Sequence, residues 1–160
     1  MVDDQDWDKS GETVYLAVDA DVFASAPLDM LITAFKNTVH VNYVGQEDGR
    51  YSAHFALGSF RHSGSPNLAI RQYVRLIERL PKPARRDWMK AQSRTFNIGI
   101  QGGSRPRSKE FKIDADTIAA AARVGASIVV TVYAAESTPA RRRSRLTTRT
   151  TRTGRKRPAG

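Results

Sequence analysis

The sequence predicts an α+β domain, a two-layer sandwich in which a mostly antiparallel sheet carries helices on one face. Three patterns carry this expectation. Apolar and polar residues alternate in several short runs, the signature of half-buried strands. Between them, apolar residues recur at helical spacing, most clearly Ile70, Tyr73, Val74, Ile77 and Leu80. A turn signal at Glu47-Asp48-Gly49 joins two alternating runs with no helix between them, which predicts a hairpin.

The elements follow in order. Residues 13–19 alternate, with Val14, Leu16 and Val18 on one side and Tyr15 and Ala17 on the other. Pro27 suits a first helical turn, and Leu28, Leu31, Ile32 and Phe35 continue it to about Asn37. The hairpin joins 39–44 to 50–57. A two-residue Asp48-Gly49 turn would set Tyr43 opposite His54 and split the apolar residues of the two strands between faces. A three-residue loop with Gly49 left-handed sets Val39, Val41 and Tyr43 opposite Leu57, Phe55 and Ala53, and that register is the one expected. After a Ser/Gly loop the helix at about 67–80 ends at Pro81 and Pro83, and a second piece at 84–92, bearing Trp88, lies as a lid on the core. Residues 95–101 form a strand with Phe96, Ile98 and Ile100 inward, and 110–113 are expected as a short edge strand. Asp114 is placed to N-cap a helix ending at Gly125, and 126–133 form the last strand. The βαββαβ part of this order is that of a ferredoxin-like split βαβ, with an αβ unit added.

The length of 160 residues suits one domain. The expected boundaries are an acidic disordered leader over 1–11, the domain over 12–136 and a disordered Arg/Thr-rich tail over 137–160. With no cysteine, disulfide frameworks, thiolate metal sites and cysteine nucleophiles are excluded. The leader has no apolar run resembling a secretory signal, and no stretch nears the ~18 apolar residues of a membrane span, so a cytoplasmic protein without membrane partners is expected. Nearly all of the net charge of +10 resides in the tail, which holds nine of the 26 cations and no acid. The 17 cations left face 16 acids, a body of net +1. Within it, residues 1–29 carry eight acids and one lysine, so the leader could lie across a basic surface of its own chain.

A two-layer sandwich leaves one sheet face free. The expected register puts Tyr15, His40, Asn42, Ser52, His54, Asn97, Thr131 and Tyr133 there, a mixture of donors, acceptors and ring planes suited to a partner or to single-stranded RNA. A solvated polar face, or one covered by the chain's own termini or a dimer mate, is the plainer alternative. His40 and His54 are too few ligands for zinc, and no metal or cofactor is expected. Asp4, Asp6 and Asp8 imitate the start of a calcium loop, but Lys9 stands in place of the turn glycine and Tyr15 in place of the closing glutamate. The Gly102-Gly103 loop offers backbone N–H groups with Arg105, Arg107 and Lys109 to an anion, yet no phosphate-loop lysine follows. Arg71, Arg75 and Arg79 form a basic ridge on the solvent side of their helix. In the tail, Arg141, Arg142, Arg143, Arg145, Arg155, Lys156 and Arg157 supply non-specific affinity for RNA or DNA.

The Phe96-Asn97-Ile98-Gly99 run and the Val124-Gly125-Ala126-Ser127-Ile128 pattern leading to Tyr133 resemble small bacterial α+β proteins classed as domains of unknown function. The resemblance implies a structural kinship with some proteins encoded near toxin and immunity genes, and it carries no catalytic motif. The expected function is therefore a non-enzymatic interaction module, an accessory or immunity-type protein that binds a protein partner through its open sheet face and could form a homodimer. The alternative is a nucleic-acid binder using the tail and the aromatic face.

Overall fold

Among the described residues, five strands and four helices follow in the order β1 (Val14–Ala24), α1 (Asp29–Phe35), β2 (His40–Glu47), β3 (Arg50–Ala56), α2 (Pro66–Glu78), α3 (Lys82–Lys90), β4 (Ser93–Gln101), α4 (Ala115–Arg123) and β5 (Ser127–Tyr133). The computed structural model describes residues 11–57 and 65–134. The leader before Gly11 and the tail over 137–160 lie outside the described residues, and with them Arg141, Arg142, Arg143, Arg145, Arg155, Lys156 and Arg157.

The strands form one sheet in the order β2-β3-β1-β4-β5. The first four pair antiparallel throughout, which is the split βαβ arrangement, and α4 crosses over to lay β5 parallel to β4. The architecture is an α+β sandwich. Alternate residues of the central strands, Val18, Ala20 and Val22 of β1 with Phe96, Ile98 and Ile100 of β4, are buried in a single core. The helices meet them with Leu31 and Phe35 from α1, Ile70, Tyr73, Val74 and Ile77 from α2, Trp88 from α3 and Ala121 from α4.

None of the four helices has a side-chain cap at its N-cap residue, and α1 is started by a tertiary contact instead. Leu28 makes no side-chain cap for α1. Asp87 of α3 supplies it instead, its Oδ2 accepting from the Met30 and Leu31 N–H groups at 3.1 and 3.2 Å. Asp114 does precede α4, but its carboxylate makes no cap bond and reaches Lys112 at 3.4 Å. The expected strand at 110–113 is absent. The Asn67 side chain takes the partner's part there, donating to the Lys112 carbonyl and accepting from the Asp114 N–H, both at 2.9 Å. Gly125, at φ +71°, ends α4 as expected.

The hairpin corrects the expected register. Asp48 and Gly49 both have positive φ, 50° and 76°, the requirement of a two-residue type I′ turn, and Glu47 pairs with Arg50. Tyr43 consequently lies opposite His54 and Val44 opposite Ala53. The register then shifts between Val41 and Tyr43, and beyond that bulge Val41 lies opposite Phe55, as the sequence reading expected. Asn42 is the residue that absorbs the shift, so both registers exist in one hairpin. Replacing Gly49 by Ala should cost about 1 kcal/mol in urea unfolding, because a Cβ is disfavoured at that φ, while Asp48→Gly should cost nothing or stabilise slightly.

Candidate functional site

Among the described residues one sheet face carries no helix, and this uncovered face is built by all five strands in register. One row runs His40, Ala56, Asp19, Asn97 and Val129 from edge to edge, and the next runs Tyr43, His54, Asp21, Thr95 and Ser127. His40, His54, Asn97, Thr131 and Tyr133 therefore lie on the uncovered face, as the sequence reading placed them. Asn42 sits at the bulge, exposed.

Tyr15 does not belong to this face. The β1–β4 register shifts between Tyr15 and Ala17, leaving Leu16 as the extra residue, so Tyr15 lies opposite Ile100 on the helix side and packs against the core. The alternation assumed for 13–19 is broken by that bulge. Burial and, secondarily, the Asp19 carboxylate push the Tyr15 hydroxyl up to about 12. Because the folded protein then holds a proton that the unfolded chain releases near pH 10, its contribution to stability is complete below pH 10 and is lost as pH rises towards 12. Tyr15→Phe should flatten that alkaline decline in urea midpoints measured between pH 9 and 11.5.

At the centre of the face, His54 is held on three sides. Its Nδ1 lies 2.7 Å from Asp21 Oδ1, and its ring meets Phe23 and Tyr43 edge-on, with centroids 5.7 and 5.5 Å apart. Tyr43 folds over Gly45, where any Cβ would collide with its ring and hydroxyl. Ser52, two residues from His54 on the same strand, is only 1% exposed, and its hydroxyl has no hydrogen-bond partner. Ser52→Ala should therefore be neutral or stabilising by up to about 1 kcal/mol in chemical denaturation, since it removes a desolvated hydroxyl that bonds to nothing.

A second cluster occupies β4 and β5. The Thr131 hydroxyl donates to Asn97 Oδ1 at 2.8 Å, and the half-exposed Tyr133 lies over Gly99, its ring edge 3.6 Å from where a Cβ would stand. Asp19 lies beside Asn97, so two carboxylates, Asp19 and Asp21, mark the middle of the face. Sequence reading missed Asp21 and Phe23 because it ended the strand at Asp19. The signal was present: Ala20, Val22 and Ala24 continue the same alternation.

The other candidates resolve differently. The Gly102–Arg105 backbone is engaged within the protein: Gly102 N–H donates to the Tyr133 carbonyl, Gly103 N–H to Thr13 Oγ1, and those of Ser104 and Arg105 to the Gly11 carbonyl. Gly103 is a glycine because the Gly11–Glu12 backbone presses on it. An anion cradle of bare N–H groups is thus ruled out at this loop, and Arg105 and Arg107 remain as side chains of an exposed rim. The basic ridge departs from expectation at Arg71, while Arg75 and Arg79 are exposed as the helical spacing predicted. Arg71 turns towards α4 and donates to Thr117 Oγ1 at 3.0 Å, and Arg75 lines a cleft of about 260 Å3 with Asp116, Glu78 and Arg123. Among the described residues no cluster of three or more potential metal ligands occurs. Among the described residues no helix is long and apolar enough to cross a membrane. No protein-family model, curated protein or solved structure matches this chain.

Proposed function

We propose that this chain is a non-enzymatic interaction module that binds a protein partner through the uncovered face of its sheet. One observation carries the reading: Phe23, His54 and Tyr43 form a braced aromatic cluster around Asp21 on that face, with Tyr43 half exposed. Aromatic groups that are already held in place lose little side-chain freedom on binding, which suits them as anchors for a partner. The central carboxylates of Asp19 and Asp21 favour a partner surface that presents a cation. They oppose a phosphate backbone laid across the same face. The His54–Asp21 pair is read as a brace for this cluster, because the neighbouring Ser52 hydroxyl is sealed from any substrate. A bacterial accessory or immunity-type role, in the cytoplasm, is the setting proposed for such a module.

The nucleic-acid reading draws on a separate feature, the nine cations of the tail. The two readings separate in one experiment. RNA and DNA binding by the full chain, measured across a salt series, should weaken by roughly 0.9 log units per neutralised phosphate per decade of salt. It should be the same for Tyr43→Ala and Tyr133→Ala, because the tail alone carries it. In pull-downs those two substitutions should abolish capture of a stoichiometric protein partner. A loss of nucleic-acid affinity of about tenfold or more in either variant, with the salt slope unchanged, would transfer the face to single-stranded nucleic acid and overturn the proposal.

A further inference from the structure

An edge strand presents a row of backbone donors and acceptors to any chain that can pair with it, and natural sheets guard such rows with charges, prolines or bulges. The edges here are β2 and β5, and they are guarded unequally. β2 is interrupted by the bulge at Asn42 and ends in Glu47, paired with Arg50. β5 runs its seven residues beside β4 without a register shift. It has no proline and no charge, and neither does any residue from Val124 to Ala134.

The backbone directions on β5 follow from one bond. The Tyr133 carbonyl accepts from Gly102 N–H at 2.8 Å, so in this parallel ladder the odd-numbered residues turn their backbone groups towards β4. Ile128, Val130 and Val132 turn theirs to the free edge. Their side chains lie on the helix side, opposite Phe96, Ile98 and Ile100, yet Val130 and Val132 are 54% and 64% exposed. α4 extends this apolar surface. Its residues Asp116, Ala120 and Arg123 face the cleft with α2, which leaves Ile118, 51% exposed, and Ala122 on the opposite flank.

We propose that β5 pairs antiparallel with β5 of a second copy about a twofold axis at Val130, joining the two five-stranded sheets into one. The choice of a second copy rests on self-complementarity. The axis sets Val130 against itself and Ile128 against Val132, so the residues with outward backbone groups meet only one another, in about six interchain hydrogen bonds. On the other face Val129 meets Thr131 and Ser127 meets Tyr133. A twofold axis brings each charge near its own like, and a strand free of charge is the one that tolerates it. The exposed flank of α4 then approaches its counterpart over the joined strands. This surface shares Tyr133 with the proposed partner face but leaves out the Phe23–His54–Tyr43 cluster, so Tyr43→Ala tests the partner face alone and Val130→Lys tests the dimer alone.

Sedimentation of the full chain between about 1 and 100 μM should show a dimer. Val130→Lys and Val130→Glu should each raise the dimer Kd by about tenfold or more, and an equimolar mixture of the two should recover the dimer. Since the chain has no cysteine, Val130→Cys provides a single thiol. A short thiol-reactive bifunctional crosslinker should join that variant into a covalent dimer and leave Val44→Cys, on the opposite edge, uncrosslinked. A wild-type monomer over the whole range overturns the proposal, as does a dimer that Val130→Lys leaves intact or crosslinking at Val44→Cys in place of Val130→Cys.

Discussion

The structure depends on a column of three aromatic rings at the centre of the core. Tyr73 of α2 and Trp88 of α3 both stack on Phe96 of β4, with centroids 5.5 and 6.4 Å from it and planes within 28°. Each outer ring also has a polar end that reaches a different element. The Tyr73 hydroxyl donates to the Phe55 carbonyl of β3 at 2.8 Å, and Trp88 Nε1 donates to the Val124 carbonyl after α4 at 2.8 Å. Large apolar area and a satisfied donor are thus combined in the same side chains, which is what makes buried Tyr and Trp tolerable. Burial, above all, holds the Tyr73 hydroxyl far above the usual tyrosine range.

Around that column long-range polar contacts tie the helices and their connections together. Asp87 joins α3 to the first turn of α1, and Asn67 joins α2 to the segment before α4. Arg94 lies in the same layer, bonding the carbonyls of Trp88, Met89 and Gly125. These side chains supply partners for backbone groups that short helices leave unpaired, so the helical layer is fixed as a unit against the sheet. The uncovered face inherits its rigidity from this layer, because the same strands carry Phe96 on one side and Asn97 on the other.

Much of this was legible in the sequence, and the reason is periodicity. The alternation in β4 and the helical stripe from Ile70 to Leu80 point to one inner face each, and the structure buries Phe96, Ile98, Ile70, Tyr73, Val74 and Ile77 there. The misplacements of Tyr15 and Tyr43 share one cause. Periodicity assumes an unbroken ladder, and β1 and β2 each contain an irregularity, at Leu16 and Asn42. One extra residue reverses every side chain beyond it. Tyr15 thereby moved to the core, Tyr43 moved outward onto His54, and the hairpin could combine a two-residue turn with apolar pairing at Val41 and Phe55. No local signal marks Asn42 or Leu16 as the slipped residue; the choice is made by which pairing lets the core close.

One further consequence comes from where the described chain begins and ends. Gly11 is bound to Ser104 and Arg105, while the Ala134 carbonyl accepts from Gln101 Nε2 at 3.0 Å, so both ends meet the same rim just past β4. A probe fused at Gly11 and one fused at Ala134 would therefore leave the domain at neighbouring points, and their encounter would be set by the length of their linkers and not by how much protein is in solution.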